Sequence, residues 1–138
     1  MKKILLATTI ASLATTATAG DPTSCSTLAI DATGSAVTVD VSGSIPMALT
    51  VLLVGETTGE TVLPLGGLGD LTLGLEVPFI PIPIGSTDLT GDLSLSFEND
   101  GAAGLALFGQ AVSFGLDFGS GGPPEFGVCE SNVVAFDL

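Results

Sequence analysis

Apolar residues recur at every second position through much of this chain. In residues 35–41, Val37, Val39 and Val41 fall on one side of an extended backbone, and Thr38 and Asp40 on the other. Residues 71–77 set Leu71, Leu73, Leu75 and Val77 against Thr72, Gly74 and Glu76. Residues 89–97 set Leu93, Leu95 and Phe97 against Asp92, Ser94 and Ser96, and near the end Val134, Phe136 and Leu138 share a side. A period of two is that of a strand with one face buried and the other in water. The stretch MALTVLLV (47–54) becomes apolar on both faces in its second half, which predicts a strand well inside a sheet.

Residues 105–118, LALFGQAVSFGLDF, break the alternation and hold a lone Gln110 among large apolar side chains. A helix would gather Leu105, Phe108, Val112 and Leu116 on one face. Gly104, Gly109 and Gly115 oppose it, each at about 1 kcal/mol relative to alanine. In a strand, Leu105 and Leu107 are odd while Phe108, Val112, Phe114, Leu116 and Phe118 are even, so a bulge or bend is expected near Gly109. Gln110 then lies on the phenylalanine-rich face, where an unpaired carboxamide costs on the order of 1–3 kcal/mol. The expected role is a structural clamp that bonds the backbone of a neighbouring loop, with ligand binding as the rival role.

Turn-forming clusters separate these runs, among them ETTGE (56–60), GGLGD (66–70), DLTGD (88–92) and GSGGPP (119–124). Glycine supplies positive φ there, and Asp or Asn bonds its own backbone. Pro78, Pro81 and Pro83 cannot donate to a ladder, so VPFIPIPIG (77–85) reads as an edge segment or an extended connection. About 7–9 short strands at this spacing predict an all-β fold, a single antiparallel β-sandwich.

Composition changes the picture at the N-terminus. Lys2 and Lys3 precede the apolar ILLATTIASLA, and ATA stands before Gly20, the layout of a signal peptide over 1–19 that is cleaved after Ala19. Residues 20–138 then form the β-sandwich domain, and no membrane insertion is expected once the leader is gone. Cleavage would move the formal charge from −13 to −15, because Lys2 and Lys3 are the only basic residues beside fifteen acids. Nothing remains to neutralise a phosphate, which excludes nucleic acid and anionic membrane surfaces as partners. Outward strand positions carry Asp, Glu, Ser and Thr, which a lipid-facing barrel would not tolerate.

Cys25 and Cys129 are the only cysteines, and in an exported chain they predict a disulfide. A thiolate metal site or a catalytic thiol would need His or further Cys that the chain lacks. With no His, and no Lys after residue 3, only carboxylates could act as acids or bases, and no Trp or Tyr offers a sugar platform. No catalytic residue is assigned and the chain is read as non-enzymatic. No cofactor is expected, with calcium as the one option: Asp88, Asp92, Glu98 and Asp100, with Asn99, cluster in sequence around two turns and are hard oxygen donors.

The segment ENDGAAGLALFGQA (98–111) resembles a PNDPALAGLxLYxQA signature of small exported bacterial all-β modules of uncharacterised function. SIPMALTVLLVG (44–55), LPLGGLGDLTLGL (63–75) and CESNVVAFDL (129–138) are similar to other parts of those modules, so the likeness covers most of 40–138. Gly101 stands where a proline is usual, and Phe108 where the pattern favours tyrosine. The resemblance implies a β-sandwich in an extracellular setting and brings no catalytic residue. Together these features predict a bacterial protein that is secreted or held at the cell surface, with the periplasm as a further compartment. Its expected role is a structural or interaction module of the surface or matrix, whose partner is another protein, a surface or a second copy. The alternative is a calcium-dependent ligand- or carbohydrate-binding module.

Overall fold

The computed structural model describes residues 24–33, 35–98, 104–117 and 123–138. The expected leader, 1–19, lies outside them. Ten strands run through the described residues: β1 (Thr27–Thr33), β2 (Ala36–Ser42), β3 (Leu49–Gly55), β4 (Thr58–Pro64), β5 (Asp70–Leu75), β6 (Phe79–Ser86), β7 (Leu93–Glu98), β8 (Ala106–Asp117), β9 (Glu125–Glu130) and β10 (Val134–Asp137). One 3-10 turn, Gly66–Leu68, joins β4 to β5. The fold is all-β, and every strand pairing is antiparallel.

The strands form three sheets. One has the order β1-β2-β7, one the order β10-β8-β3-β6 with β9 also on β8, and β4 pairs with β5 alone. The five-stranded sheet is apolar on both faces. Leu52, Ile84 and Ala111 pack from one face against Leu28, Val37, Val39 and Val41 of β1 and β2. Leu53 and Val112 pack from the other against Leu71, Leu73 and Leu75 of β5. Burial of each such Leu or Val stabilises by roughly 1.5–3 kcal/mol.

This arrangement corrects two expectations. Ten strands replace the expected 7–9, because β1, β4 and β9 join those the alternation marks. β4 takes in the last three residues of the turn-like ETTGE, Thr58 to Glu60, and its pairing with β5 is irregular between Thr58 and Thr61. The bulge expected near Gly109 is absent from β8, which keeps an unbroken register on β3 from Leu49↔Phe114 to Gly55↔Phe108. No change of parity is needed when both faces of a strand are packed.

β3 lies between β6 and β8, as its two-faced hydrophobicity predicts. β6 is the outer strand beside it, with Pro81 opposite Leu53 and Pro83 opposite Val51. Prolines there leave the outer edge short of N–H donors and blunt it against further pairing.

Cys25, just before β1, is bonded to Cys129 inside β9, with a Cα–Cα distance of 5.2 Å and a sequence separation of 104. Ser26 and Ser131 form a parallel bridge beside it. β1 and β10 nevertheless belong to different sheets, and Leu28 and Ile30 meet Val134 and Leu138 through side chains in one cluster. Closing so long a loop removes chain entropy from the unfolded state. Urea denaturation of the doubly substituted Cys25→Ser, Cys129→Ser protein should therefore show a loss of up to about 4–5 kcal/mol against the oxidised protein.

Candidate functional site

β9 and β10 follow one another along the same edge of β8, but not in one register. Glu130 is opposite Val112, whereas Val134 is opposite Gly109, so Ser131, Asn132 and Val133 face only Gln110 and Ala111. The irregularity that the sequence suggests in β8 is therefore a bulge on its partner. Gln110 is 1% exposed and fills the space behind it. Its Oε1 accepts from the Gly74 N–H of β5 at 2.9 Å, and its Nε2 donates to the Ser131 carbonyl at 2.8 Å. Ser131 Oγ accepts from the Ala111 N–H at 2.8 Å and donates to the Asn132 carbonyl at 2.7 Å. Gly74 is needed for this approach, since a Cβ there would lie 2.5 Å from Val133 Cγ2.

Asn132 extends the junction to the other sheet. Its Oδ1 accepts from the Leu28 N–H at 2.8 Å, and its Nδ2 donates to the Leu28 carbonyl at 3.3 Å. One side-chain amide thus takes the place of a peptide group against edge strand β1. Neither Ser131 nor Asn132 stands out in the sequence: a polar pair between two apolar runs reads as an ordinary loop. Only the one-residue mismatch between β9 and β10, a property of three strands, reveals their role.

The acidic candidates separate. Asp88 and Asp92 meet in the turn between β6 and β7. Asp88 Oδ1 accepts from the Thr90 N–H (2.9 Å), the Thr90 hydroxyl (2.7 Å) and the Asp92 N–H (3.0 Å). Asp92 Oδ1 accepts from the Gly43 N–H at 3.1 Å, and Oδ2 from the Thr90 hydroxyl at 3.1 Å. Backbone bonds from Ser44 to Gly91 and from Met47 to Asp88 complete the docking of this turn on the 43–48 loop. Gly91 has φ +83°, and a Cβ there would fall on the Ser44 carbonyl, so the two loops touch backbone to backbone. Glu98 ends β7, six strand residues beyond Asp92 and so about 20 Å away. Asp100 and Asn99 lie outside the described residues. Among the described residues no three His, Cys, Asp or Glu side chains gather closely enough to hold a metal ion.

A third feature has no counterpart in the sequence reading. The β4–β5 hairpin covers only part of its face of the five-stranded sheet. At its margin Leu49, Phe114 and Val128 form one row across β3, β8 and β9, with Phe114 and Val128 packed against the β5 cluster, and Leu116 and Phe126 form the next row out. Leu49, Leu116 and Phe126 are each about half exposed, at 53%, 48% and 50%. A groove of about 230 Å³ runs from this strip to the 3-10 turn, between Leu65, Leu68 and Leu71 on one wall and Phe126 and Val128 on the other, with Asp70 and Glu130 among its lining.

Comparison with family models, with curated proteins and with solved structures gave no match. The likeness to exported all-β modules therefore stands on the quoted residues alone.

Two substitutions probe these contacts. Gln110→Leu leaves the Gly74 N–H and the Ser131 carbonyl unpaired in a closed interior and should cost roughly 1–3 kcal/mol in urea denaturation. Asp88 titrates lower than an ordinary Asp, chiefly because the Asp92 N–H and then the Thr90 hydroxyl and N–H favour its charged form. A depressed pKa gives stability that is complete above the ordinary Asp value of about 3.9 and lost as the pH falls through the lowered one. Thermal melts of wild type and Asp88→Asn should accordingly differ at neutral pH and converge under acid.

Proposed function

We propose that this chain is an exported, non-enzymatic β-sandwich that serves as a structural or interaction module at the bacterial surface or in the extracellular matrix. The observation that carries this reading is where its polar side chains point. Gln110, Asn132 and Asp92 bond backbone groups of neighbouring segments, and Asp88 bonds the backbone of its own turn, as scaffold residues do. The sandwich reading is supported by the cluster in which side chains of β1 and β2 interlock with those of β3, β6 and β8. In this reading the β4–β5 hairpin is an addition to the outer face of the larger sheet.

Export is supported by the Cys25–Cys129 disulfide, which suits an oxidising compartment. The leader-like residues 1–19 and the resemblance of 98–111 to exported modules agree with it. No described helix is long and apolar enough to cross a membrane. The calcium-dependent alternative has less support, since Asp88 and Asp92 already accept internal hydrogen bonds and Glu98 stands apart from them.

Fractionation of the native cells with mass spectrometry of the purified chain tests the proposal. A mature N-terminus at Gly20, with the disulfide intact and the protein outside the inner membrane, is the expected result. A cytoplasmic chain retaining 1–19 with free thiols would overturn it.

A further inference from the structure

We propose that the uncovered strip beside the β4–β5 hairpin docks a basic, amphipathic polypeptide segment of a partner protein. The proposal rests on reading the chain as an interaction module and names the chemistry of what it meets. Leu49, Phe114, Leu116, Phe126 and Val128 are contiguous by strand register and lie on a single face. Leu68, 47% exposed, lies across the groove, whose accessible lining is mainly polar and forms the rim of the strip. Contiguous apolar side chains rimmed by polar groups are the mark of an interaction surface, unlike a single exposed leucine.

The charge of the rim selects the occupant. Asp70 and Glu130 line the groove, and no Lys, Arg or His occurs after residue 3. A second copy seated here would bring these carboxylates toward their own kind with no cation between them, and like-charge juxtaposition disfavours such an interface. An anionic bilayer is repelled for the same reason. A segment with leucine-like side chains on one face and Lys or Arg beside them meets both demands: it covers the strip and neutralises Asp70 and Glu130. Charge then governs the rate and selectivity of encounter, and the apolar strip provides the anchor.

The probe is a short fluorescein-labelled peptide with leucine on one face and lysine on the other, titrated into the oxidised exported chain and followed by anisotropy. Two further peptides replace leucine by serine, or lysine by glutamate. Saturable binding of the leucine–lysine peptide alone, weakened by salt, is expected. Phe126→Ser and Leu49→Ser should each reduce affinity by about tenfold, as loss of an anchor residue does. Asp70→Asn should flatten the salt dependence, and Ile80→Ser, exposed at the other end of β6 opposite Val54, should change nothing. Circular dichroism of each variant establishes that it is folded.

Equal binding of the serine–lysine peptide would reduce the site to unspecific charge and overturn the proposal. So would patch variants that bind like wild type. A wild-type dimer in sedimentation equilibrium that Phe126→Ser dissolves would identify a second copy as the occupant instead. A negative peptide result with correct export and processing would defeat this inference while leaving the proposed function standing.

Discussion

After residue 3 this chain carries no side-chain cation, and that constraint shapes its polar contacts. Among the described residues a carboxylate therefore has no Lys or Arg to pair with. Asp88 and Asp92 are instead bonded by N–H groups and a hydroxyl, and each fastens a turn. Such bonds are short-range and directional, and salt weakens them far less than exposed ion pairs. The same constraint leaves the repulsion among the acids uncompensated, so cohesion falls to apolar burial, the ladders and one covalent link.

Apolar burial is arranged around β3 and β8. Both of their faces are packed, one against β1 and β2 and the other against β5, so a single pair of strands holds two clusters together. Gln110 is the polar price of that arrangement. Where β9 gives way to β10 the ladder is interrupted, and the carboxamide satisfies peptide groups on β5 and on the bulge at once. Gln110 is itself almost wholly buried, and low local polarity strengthens such bonds.

Much of the sheet structure was legible in the sequence, and the reasons for the failures are physical. Val37, Val39 and Val41, or Leu71, Leu73 and Leu75, alternate with polar residues because each strand has one wet face. Pro81 and Pro83 mark an edge because proline lacks an N–H. The pairing of Cys25 with Cys129 followed from there being no other cysteine. Residues 105–118 misled because alternation was taken to mean one buried face, and β8 has two. β4 was hidden by Gly59 and its acidic neighbours, which resemble a turn. Of the candidate acids, Asp88 and Asp92 are joined by a local turn that sequence spacing can anticipate. Glu98 is carried off by the length of β7, which spacing along the chain does not convey. The strip at Leu49, Leu116 and Phe126 depends on how far a hairpin reaches across a sheet, a matter of tertiary shape alone.

The disulfide also determines how this protein would bear a load. Tension applied to the chain on both sides of the crosslinked pair passes from Cys25 to Cys129 through the sulfurs. Residues 26–128 hang from that line as a closed loop, so β1 to β8 and the buried members of both main apolar clusters are shielded from the pull. Outside the loop, the chain before Cys25 and the chain beyond Cys129 carry the force. Stretching would draw out the Ser131–Val133 bulge and strip β10 from the edge of β8, while the remaining ladders stay unloaded. Under force, the protein behaves as a short covalent tether with one peelable strand.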